Sequence, residues 1–362
     1  MKRPTQLDVA RIAGVSRATV SLVANGQVDG RVPISAETRA RVLKAIEDLG
    51  YEPDARAQAL RSGGTKILGL IVPDIRNPHF WDNVLGVEQA ANSAGYNIMF
   101  TALGLQEQYS DLLLKDLLRQ RVDGIILMGR YLDDKEKGQK TLVNLRRRLP
   151  IIEINDKLNP DHPIDAVIAD YREATRDVMA HLISFGHRKI GLVYGVSLDT
   201  LGLDRLEPYY EAMHTTGLPV NPDWVVHTGP TIEEGYQAAL QMLQMPDRPT
   251  AILSINDLLA LGIMRAAADL GLQIPKDLSI VGFDDIFLDA YLTPRLTTVT
   301  KDAFDMGRTA VQVLVQRIEE PNRPRQVIEI KPRLIVREST GPAPMLGQEP
   351  VSFHHIEIEE KR

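Results

Sequence analysis

The sequence predicts a small all-α head, built on a helix-turn-helix, followed by a larger α/β body with two Rossmann-like halves. Three observations support this prediction. Two short amphipathic segments within residues 5–26 meet at Gly14, and two series of apolar runs alternate with helical stretches beyond residue 66. Residues 1–66 hold 11 Lys and Arg against 7 Asp and Glu, a net charge of +4, so −10 remains elsewhere to give the overall −6. A basic head on an acidic body suits local contact with phosphate.

Three helices are predicted for the head, because each has its own start or stop signals. An N-cap residue precedes each helix, and a glycine that can adopt the left-handed conformation follows the first and the third. The caps are Thr5, Ser16 and Ser35, the glycines are Gly14 and Gly50, and the helices run over about 6–13, 17–24 and 36–49. Asp8, three residues after Thr5, adds the acid of a capping box.

The apolar spacing within these helices predicts one small shared core. The residues expected in it are Val20 and Val23 packed on Leu7, Val9 and Ala10, with Val42, Leu43, Ile46 and Leu49 from the third helix. The outer face of the second helix, which a helix-turn-helix places in the major groove of DNA, then carries Arg17, Ala18, Ser21 and Leu22. An ordinary helical hairpin has the same spacing, and the basic charge of the head favours DNA binding over it.

Three stretches of the chain resemble the lactose-repressor family of bacterial transcription regulators. They are DVARIAGVSRATVSLVANG, LGYEPDARAQALRSG and IVPDIRNPHF, and the likeness covers about residues 5–340. The resemblance implies a helix-turn-helix domain over 1–50, a hinge helix and linker over 51–65, a periplasmic-binding-protein-like body over 66–340 and a polar tail over 341–362. It also implies a homodimer bound to near-palindromic double-stranded DNA.

The resemblance assigns the DNA contacts of the head to the second helix. Arg17 and Ala18 fall on the main base-reading positions, and Arg17 can fork onto a guanine. A simple phosphate contact is the alternative for this arginine. Leu22 stands where a basic residue is frequent, and contact with a thymine methyl is the expected substitute. The phosphate-contacting or supporting positions are Thr5, Ser16, Thr19, Ser21 and Asn25.

The segment over residues 52–61 begins with proline, is rich in alanine and is too short to form a stable helix alone. Its likeness to the hinge helix of the family implies that it orders on DNA. Leu60 would then enter a central base step, with Ala57 beside it and Arg61 along the minor groove. A plain linker is the alternative, since Ser62-Gly63-Gly64 follows directly.

Beyond residue 66, apolar runs alternate with helical stretches in the pattern of a parallel α/β sheet. The runs are 67–74, 96–101, 124–128, 151–154 and 166–169 in a first series, and 189–195, 224–227, 251–254 and 279–285 in a second. Two similar series predict two subdomains with a cleft between them. We expect these subdomains over roughly 66–182 with 300–325 and over 183–299 with 326–340.

Polar side chains that follow these runs are the candidate effector-binding groups, because ligands of such sheets bind beyond the carboxyl ends of the strands. Carboxylates, an amide, an arginine and an aromatic ring together suit a polyhydroxylated ring. The candidates are Asp74, Asn77, Phe80, Asp156, Asp170, Asp199, Arg205, Asn256 and Asp284. The alternative for each Asp or Asn is a helix cap, and the family resemblance raises Arg205, Asn256 and Asp284 above the others.

Several residues in the cleft depart from the pattern of the family. His79 stands where a second aromatic residue is frequent, and Pro208 stands where a glycine is frequent. A purine is the other known effector in the family, but Asp199 and Leu201 replace the arginine and threonine that would bind it. We therefore expect a small-molecule effector that is a neutral sugar or sugar derivative.

The sequence lacks motifs that are typical of enzymes and transport proteins, and this disfavours both classes. It has no cysteine, no cluster with metal-ligand spacing, no phosphate-loop or dinucleotide motif and no acid/base or nucleophile set. We therefore expect no metal, no cofactor and no enzymatic activity. The chain shows no export signal and no run of about 18 apolar residues, so we expect a cytoplasmic protein without membrane contact.

The tail beyond Gly341 has no leucines at heptad spacing and so offers no coiled coil for assembling four subunits, and we expect a homodimer. The family likeness places the dimer surface on residues 80–94 and 278–292. We expect a repressor in which a ligand in the cleft rotates one subdomain against the other. The rotation would order or melt both hinge helices and so change the affinity for DNA.

Overall fold

The computed structural model describes residues 4–24, 34–51, 64–102, 119, 121–129, 145–156, 164–195 and 203–344. The chain divides into two compact units, Met1–Ile67 and Leu68–Arg362. The described part of the first unit is helical. The described part of the second unit contains three β-sheets and the helices that flank them.

The first unit contains the three predicted helices, which are α1 Gln6–Ala13, α2 Arg17–Ala24 and α3 Ala36–Leu49. Each begins and ends at the residue that the sequence signals predict. These bounds confirm the helix predictions for the head.

Local hydrogen bonds explain why the helices begin and end where they do. Thr5 N donates to Asp8 Oδ2 over 2.9 Å while Asp8 N donates to Thr5 Oγ1 over 3.4 Å, which completes the capping box. Ser35 caps α3 in the same way, by accepting from the third residue of the helix. Gly14 and Gly50 end α1 and α3 with φ of 64° and 60°, a conformation that glycine adopts without a steric penalty.

The core of the head differs from the predicted one at two leucines. Leu7 is 68% exposed and Leu43 is 47% exposed, so both predictions of burial are wrong. Leu7 lies two residues from buried Val9, and Leu43 lies two residues from buried Ala45, and a two-residue step turns a helical side chain by about 200°. The buried apolar residues are Val9, Ala10, Ala13, Val20, Val23, Val42, Ala45 and Tyr51, with Ile46 and Leu49 partly buried beside them.

The second unit alternates strands and helices over most of its described length. Its strands are β1 Ile67–Val72, β2 Asn97–Ala102, β3 Gly124–Met128, β4 Ile151–Asn155, β5 Asp165–Ile168, β6 Ile190–Tyr194, β7 Val225–His227, β8 Ala251–Ser254, β9 Ser279–Val281, β10 Thr298–Thr300, β11 Val327–Glu329 and β12 Arg333–Ile335. Its helices are α4 Trp81–Ser93, α5 Arg172–Ser184, α6 Leu203–Thr215, α7 Ile232–Leu243, α8 Asp257–Asp269 and α9 Ala303–Glu319. Three short 3-10 helices lie at Pro78–Phe80, Pro222–Trp224 and Phe287–Tyr291.

Two main sheets form the two halves of the body. The first has six strands in the order β11-β5-β4-β3-β1-β2, and the second has four in the order β7-β6-β8-β9. The pairs β1/β3, β3/β4, β4/β5 and β11/β5 of the first sheet are parallel, as are all three pairs of the second. The central strands β3 and β4 are buried along their whole length, as expected when helices cover both faces. The two predicted series of strands are confirmed.

The chain crosses between the halves again near its end. The third sheet pairs β10 with β12 in antiparallel orientation, and β11 joins the six-stranded sheet through β5. Residues 327–329 therefore belong with the first sheet, whereas the sequence analysis places 326–340 with the second. Strand β11 has only three residues and is largely exposed, so its apolar signal is too short to show which sheet it joins. The other subdomain boundaries stay predictions.

Two helices of the first half pack through glycines. A Cβ atom built on Gly86 of α4 would lie 2.1 Å from the carbonyl oxygen of Phe304 in α9. A Cβ built on Gly307 of α9 would lie 2.1 Å from the carbonyl oxygen of Asn83 in α4. The two backbones are therefore too close for any side chain at these positions.

We predict that Gly86→Ala lowers the free energy of unfolding by about 1–3 kcal/mol, because the added methyl group must push α4 and α9 apart. Urea denaturation measures the loss. Gln89→Ala, on the exposed face of the same helix, is the matched control and should stay within about 0.5 kcal/mol of the unchanged protein. Equal stability of the two variants would contradict the close helix contact.

Candidate functional site

The outer face of α2 carries the residues predicted to read DNA. Arg17 and Ala18 are exposed, as predicted, while Ser21 and Leu22 are half-buried and so contribute less surface. Gln6 was not predicted as a site residue, yet its Oε1 accepts a hydrogen bond from Arg17 Nε over 3.2 Å. The first residue of α1 therefore holds the guanidinium group of the second helix.

Two of the predicted supporting residues stabilise α2 locally. Ser16 Oγ accepts from Thr19 N over 3.1 Å, and its hydroxyl lies 2.9 Å from that of Thr19. Ser16 therefore acts as the N-cap that the sequence predicts. Thr5 is part of the capping box of α1. The remaining predicted DNA contacts lie outside the described residues; they are Asn25, Ala57, Leu60 and Arg61.

The cleft of the body is built around a connected series of polar and charged side chains that follow strands of all three sheets. His79 follows β1, Asp156 follows β4, Asp284 follows β9 and Lys301 follows β10. His79 Nδ1 lies 2.8 Å from Asp284 Oδ1, and His79 Nε2 lies 2.9 Å from Lys301 Nζ. Lys301 Nζ then donates to Asp156 Oδ1 over 3.2 Å. We call these four side chains, together with Arg205 and Asp204, the cleft network.

Arg205 completes the network from helix α6. Its Nη2 lies 3.7 Å from Asp156 Oδ2, and its Nη1 donates to Asp204 Oδ1 over 3.2 Å. The guanidinium carbon lies 3.9 Å from the centre of the Tyr171 ring and 5.1 Å from the centre of the Phe283 ring. Guanidinium groups stack favourably on such ring faces. Only 4% of Arg205 is exposed, and these contacts hold its side chain in one orientation.

Burial leaves several polar atoms of the cleft without partners. Among the described residues of the cleft, His79 Nδ1, Arg205 Nε, Asp204 Oδ2 and the Tyr171 hydroxyl are buried and have no hydrogen-bond partner. The 3.7 Å gap between Arg205 Nη2 and Asp156 is also too long for a hydrogen bond. Buried polar groups in this condition are costly and are expected to bind water or a ligand. The unpartnered set contains both donors and acceptors.

Burial and neighbouring charges together shift the pKa values of Asp156 and Asp204 in opposite directions. Burial raises the pKa of Asp156, but the charges of Lys301 and Arg205 outweigh burial and bring it down to about 2. Burial also raises the pKa of Asp204, and Arg205 offsets this rise only in part. Asp156 is therefore the firmly ionised carboxylate at the centre of the network.

A turn directs Asp284 into the cleft. The predicted strand over 279–285 ends at Val281, because Asp284 and Asp285 adopt φ of 122° and 57° and leave the extended conformation. Asp284 N still donates to Val299 O over 2.9 Å, which fixes the turn against β10. The strand prediction is therefore too long by four residues, since positive φ at an aspartate has no signal in the apolar pattern.

The other predicted effector residues have local partners. Asp74 forms a two-point ion pair with Arg76, and Asp170 pairs with Arg172 over 3.0 Å. Asn77 accepts from a backbone N–H of the following 3-10 helix, and Asn256 caps α8 and donates to Pro230 O. For Asn77 and Asn256, these are the cap interactions that the sequence analysis keeps as alternatives. Phe80 packs against the apolar core, and Asp199 lies outside the described residues.

Five residues of the cleft were not predicted as effector-binding groups: His79, Tyr171, Asp204, Phe283 and Lys301. Three of them had a usable signal, because Tyr171 directly follows Asp170, Asp204 directly precedes Arg205 and Phe283 directly precedes Asp284. Lys301 follows the short strand β10, whose sequence Thr-Val-Thr is not an apolar run. The strand was therefore missed, and the lysine after it was missed for the same reason.

Comparisons with known proteins match both units. Residues 5–54 match the family described as bacterial regulatory proteins, lacI family, and residues 179–340 match a periplasmic binding protein-like domain. The HTH-type transcriptional repressor PurR of Photobacterium profundum is 34% identical over 336 residues, which cover 92% of this chain and 97% of the repressor. The chain belongs to the lacI family of bacterial regulatory proteins. It is a DNA-binding transcription regulator.

Solved structures of lacI-family proteins have the same architecture. The Lac repressor dimer bound to operator and the anti-inducer ONPF has a TM-score of 0.79 and 27% identity, covering 94% of this chain and all of that one. The transcriptional regulator CelR in complex with cellobiose has a TM-score of 0.67 and 29% identity, covering 93% of this chain and all of that one. These matches confirm the predicted fold, a helix-turn-helix domain with a periplasmic-binding-protein-like body.

No helix among the described residues is long and apolar enough to span a membrane. The described residues also contain no group of three or more His, Asp or Glu side chains arranged to hold a metal ion.

A second buried acidic site lies beside the cleft of this lacI-family protein. Asp257, at the start of α8, and Asp289, in the last 3-10 helix, are both fully buried, and each carboxyl group affects the pKa of the other. Asp257 also accepts from Thr298 Oγ1 over 2.7 Å and from Ile286 N over 3.1 Å. Burial raises the pKa of Asp289 to about 7, and burial together with Asp289 raises the pKa of Asp257 well above its ordinary range. The pair therefore holds a proton at neutral pH.

We predict that this pair makes the protein less stable as the pH rises from about 4 to about 7. The folded pKa of Asp289, about 7, lies above its ordinary value of 3.8, so over this range the unfolded chain loses its proton first. Asp289→Asn keeps a neutral side chain at every pH, so its free energy of unfolding should exceed that of the unchanged protein at pH 8 and fall less between pH 4 and 7. Urea denaturation across this pH range measures both effects, with exposed Asp223→Asn as the control. An unchanged pH dependence in Asp289→Asn would contradict the prediction.

Proposed function

We propose that this protein represses transcription by binding a near-palindromic operator as a homodimer, and that a neutral sugar in the cleft controls this binding. The cleft network carries the proposal, because it joins side chains from both halves around buried polar atoms that lack partners. A ligand that binds both halves at once changes their relative position. A change of about 1–3 kcal/mol in operator binding is typical of such coupling.

The charges of the cleft favour an effector without a net negative charge. Lys301 and Arg205 contribute two cations, and Asp156, Asp204 and Asp284 contribute three carboxyl groups. Both cations already lie against carboxylates, so an incoming phosphate or carboxylate would meet no surplus positive charge. Burying an anion without such a partner is strongly unfavourable. This inventory disfavours sugar phosphates and sugar acids.

The unpartnered atoms of the cleft favour a ligand with hydroxyl groups. Arg205 Nε needs an acceptor, Asp204 Oδ2 needs a donor, and the Tyr171 hydroxyl can take either role. Each sugar hydroxyl both donates and accepts, so a sugar can satisfy this mixed set. The similarity to a regulator in complex with cellobiose supports the sugar class. A purine is the second candidate, because the chain is also 34% identical to a repressor named PurR.

An exposed apolar surface supports the predicted dimer. Trp81 and Leu85 of α4 are 49% and 55% exposed, and Phe287, Leu288 and Tyr291 of the last 3-10 helix are 52%, 37% and 82% exposed. The Trp81 and Phe287 rings stack with their centres 5.8 Å apart, so the two segments form one continuous patch. These segments lie within the ranges 80–94 and 278–292, which the family likeness assigns to the dimer surface. A second copy of the chain would cover the patch.

At the DNA end, we assign base reading to Arg17 and Ala18 on the exposed face of α2. The predicted hinge residues Ala57 and Leu60 would transmit the position of the halves to the head. We infer a regulator without enzymatic activity, because Asp156 and Asp204 already lie against cations and no carboxyl group of the cleft is paired with a nucleophile among the described residues. Because its partner is DNA, we place the protein in the cytoplasm.

We predict that Arg17→Lys weakens binding to the selected operator by about 1–3 kcal/mol, or roughly 5- to 150-fold, because lysine cannot fork onto a guanine. The operator is first selected from random DNA, and binding is then measured by fluorescence anisotropy over a range of salt concentrations. Binding to unrelated DNA and the salt dependence should hardly change, since lysine keeps the charge. An equal loss on operator and unrelated DNA would show that Arg17 contacts phosphate only.

We predict that a neutral sugar raises the melting temperature of the protein, whereas sugar phosphates and nucleobases do not. A ligand that binds only the folded state stabilises it by about 2.7 kcal/mol at 100 times its dissociation constant. Asp284→Asn should remove this stabilisation, and the exposed Asp305→Asn should keep it. Stabilisation by nucleobases alone would contradict the sugar assignment. If no compound tested changes operator binding, the proposed control by a cleft ligand is wrong.

A further inference from the structure

Lys301 occupies an unusual place for a lysine. It follows β10 and precedes α9, and only 4% of it is exposed. A buried ammonium group is unfavourable unless it is paired and hydrogen-bonded. Here its two contacts are His79 Nε2 over 2.9 Å and Asp156 Oδ1 over 3.2 Å. His79 Nε2 belongs to a ring that can exist in two neutral tautomers or as an imidazolium ion. Its contact with Lys301 therefore bears on which of these forms the ring adopts.

The contact with Lys301 determines which nitrogen of His79 carries the proton. A lysine ammonium group can only donate hydrogen bonds, so His79 Nε2 must accept with its lone pair. The proton of the neutral imidazole is then on Nδ1, which makes a close contact of 2.8 Å with Asp284 Oδ1, although the two groups are not aligned as a hydrogen bond. An imidazolium ion or the other tautomer would place an N–H against the ammonium group. The distances therefore fit one protonation state of His79.

We propose that Lys301 is a positioning residue of the effector cleft, which holds His79 as the neutral Nδ1–H imidazole and thereby ties Asp284 to the opposite half. His79 follows a strand of the six-stranded sheet, and Asp284 follows a strand of the four-stranded sheet. The tie therefore crosses the cleft. This inference rests on the proposed function only in treating Asp284 as an effector-binding carboxylate.

The same lysine links the tie to the rest of the network. Asp156 accepts from Lys301 with Oδ1, and its Oδ2 faces Arg205 at 3.7 Å. Without the ammonium group, His79 Nε2 would lose the donor that makes it an acceptor, and the tautomer of the ring beside Asp284 would no longer be fixed. Lys301 thus sets the orientation of a predicted ligand group that it does not itself touch. A lysine that only neutralised Asp156 would not affect His79.

Two substitutions separate these roles. Lys301→Met removes both the charge and the donor, whereas Lys301→Gln removes the charge but keeps an amide N–H that can donate to His79 Nε2. If Lys301 positions His79, the glutamine variant should keep the tautomer of the unchanged protein and the methionine variant should lose it. If Lys301 acts by charge alone, the two variants should behave alike.

The test is two-dimensional NMR of protein labelled with 15N in its histidines, which distinguishes the two tautomers and the imidazolium ion. The chain has 8 histidines, and His79→Gln identifies the signal of His79. We expect the neutral Nδ1–H form in the unchanged protein and in Lys301→Gln, and its loss in Lys301→Met. An Nε2–H tautomer or an imidazolium ion in the unchanged protein would overturn the proposal, as would an unchanged signal in Lys301→Met. The spectrum of the unchanged protein tests the expected tautomer of His79 even if a variant fails to fold.

A second measurement reports whether the halves stay tied. Trp81 is half-exposed and stacks on Phe287 of the other half, whereas Trp224, the second of the two tryptophans, is buried. In a Trp224→Phe background, acrylamide quenching of Trp81 fluorescence should be stronger in Lys301→Met than in Lys301→Gln. Equal quenching in the two variants would show that the His79–Asp284 contact does not hold the halves together.

Both measurements use the full chain without sugar or DNA, so their outcome is independent of the effector assignment. If no cleft ligand controls operator binding but His79 has the expected tautomer, the proposed function fails and the positioning role stands. If a sugar controls operator binding but His79 has another protonation state, the positioning role fails and the proposed function stands.

Discussion

The cleft depends on the burial of charge. Arg205 and Lys301 are each 4% exposed, and each is compatible with the interior only because carboxylates and other groups surround it. Removing one partner of such a set leaves an uncompensated buried charge, which typically costs about 3–5 kcal/mol. Four members of the network follow separate strands and the other two, Asp204 and Arg205, lie in α6, so the contacts between these elements form only when the two halves are correctly placed. The same requirement makes the network sensitive to a ligand.

The elements with local signals were predictable from the sequence. Caps such as Thr5 with Asp8, and stops such as Gly14, depend on residues within one helical turn, and the structure has them where the sequence places them. Burial at single positions was less predictable. Leu43 and Ala45 show why, because the larger residue is exposed and the smaller one is buried. The face that packs is decided by the neighbouring helices, and hydrophobicity alone does not report it.

The sequence predicts where the cleft lies, but it does not predict most of the contacts within the cleft. The rule that ligands bind beyond strand ends selects Asp74, Asp156, Asn256 and Asp284 equally. The structure separates them, because Asp74 and Asn256 are satisfied by neighbours in sequence whereas Asp156 and Asp284 are satisfied only across the fold. Lys301 lies far along the chain from the residues it joins. No sequence spacing could reveal that contact.

In both candidate sites, a neighbouring polar side chain restricts a group that is important for binding. In the head, Gln6 accepts from Arg17 and so restricts the directions in which the guanidinium group can point. In the cleft, Lys301 donates to His79, whose other nitrogen faces Asp284. In both places, a polar side chain fixes the group that is proposed to make the contact. Fixing a flexible or tautomeric group before binding lowers the entropy lost on binding, so recognition depends on the supporting residue as well as on the contacting one. Substitutions at the supporting residues would therefore change specificity without removing any direct contact.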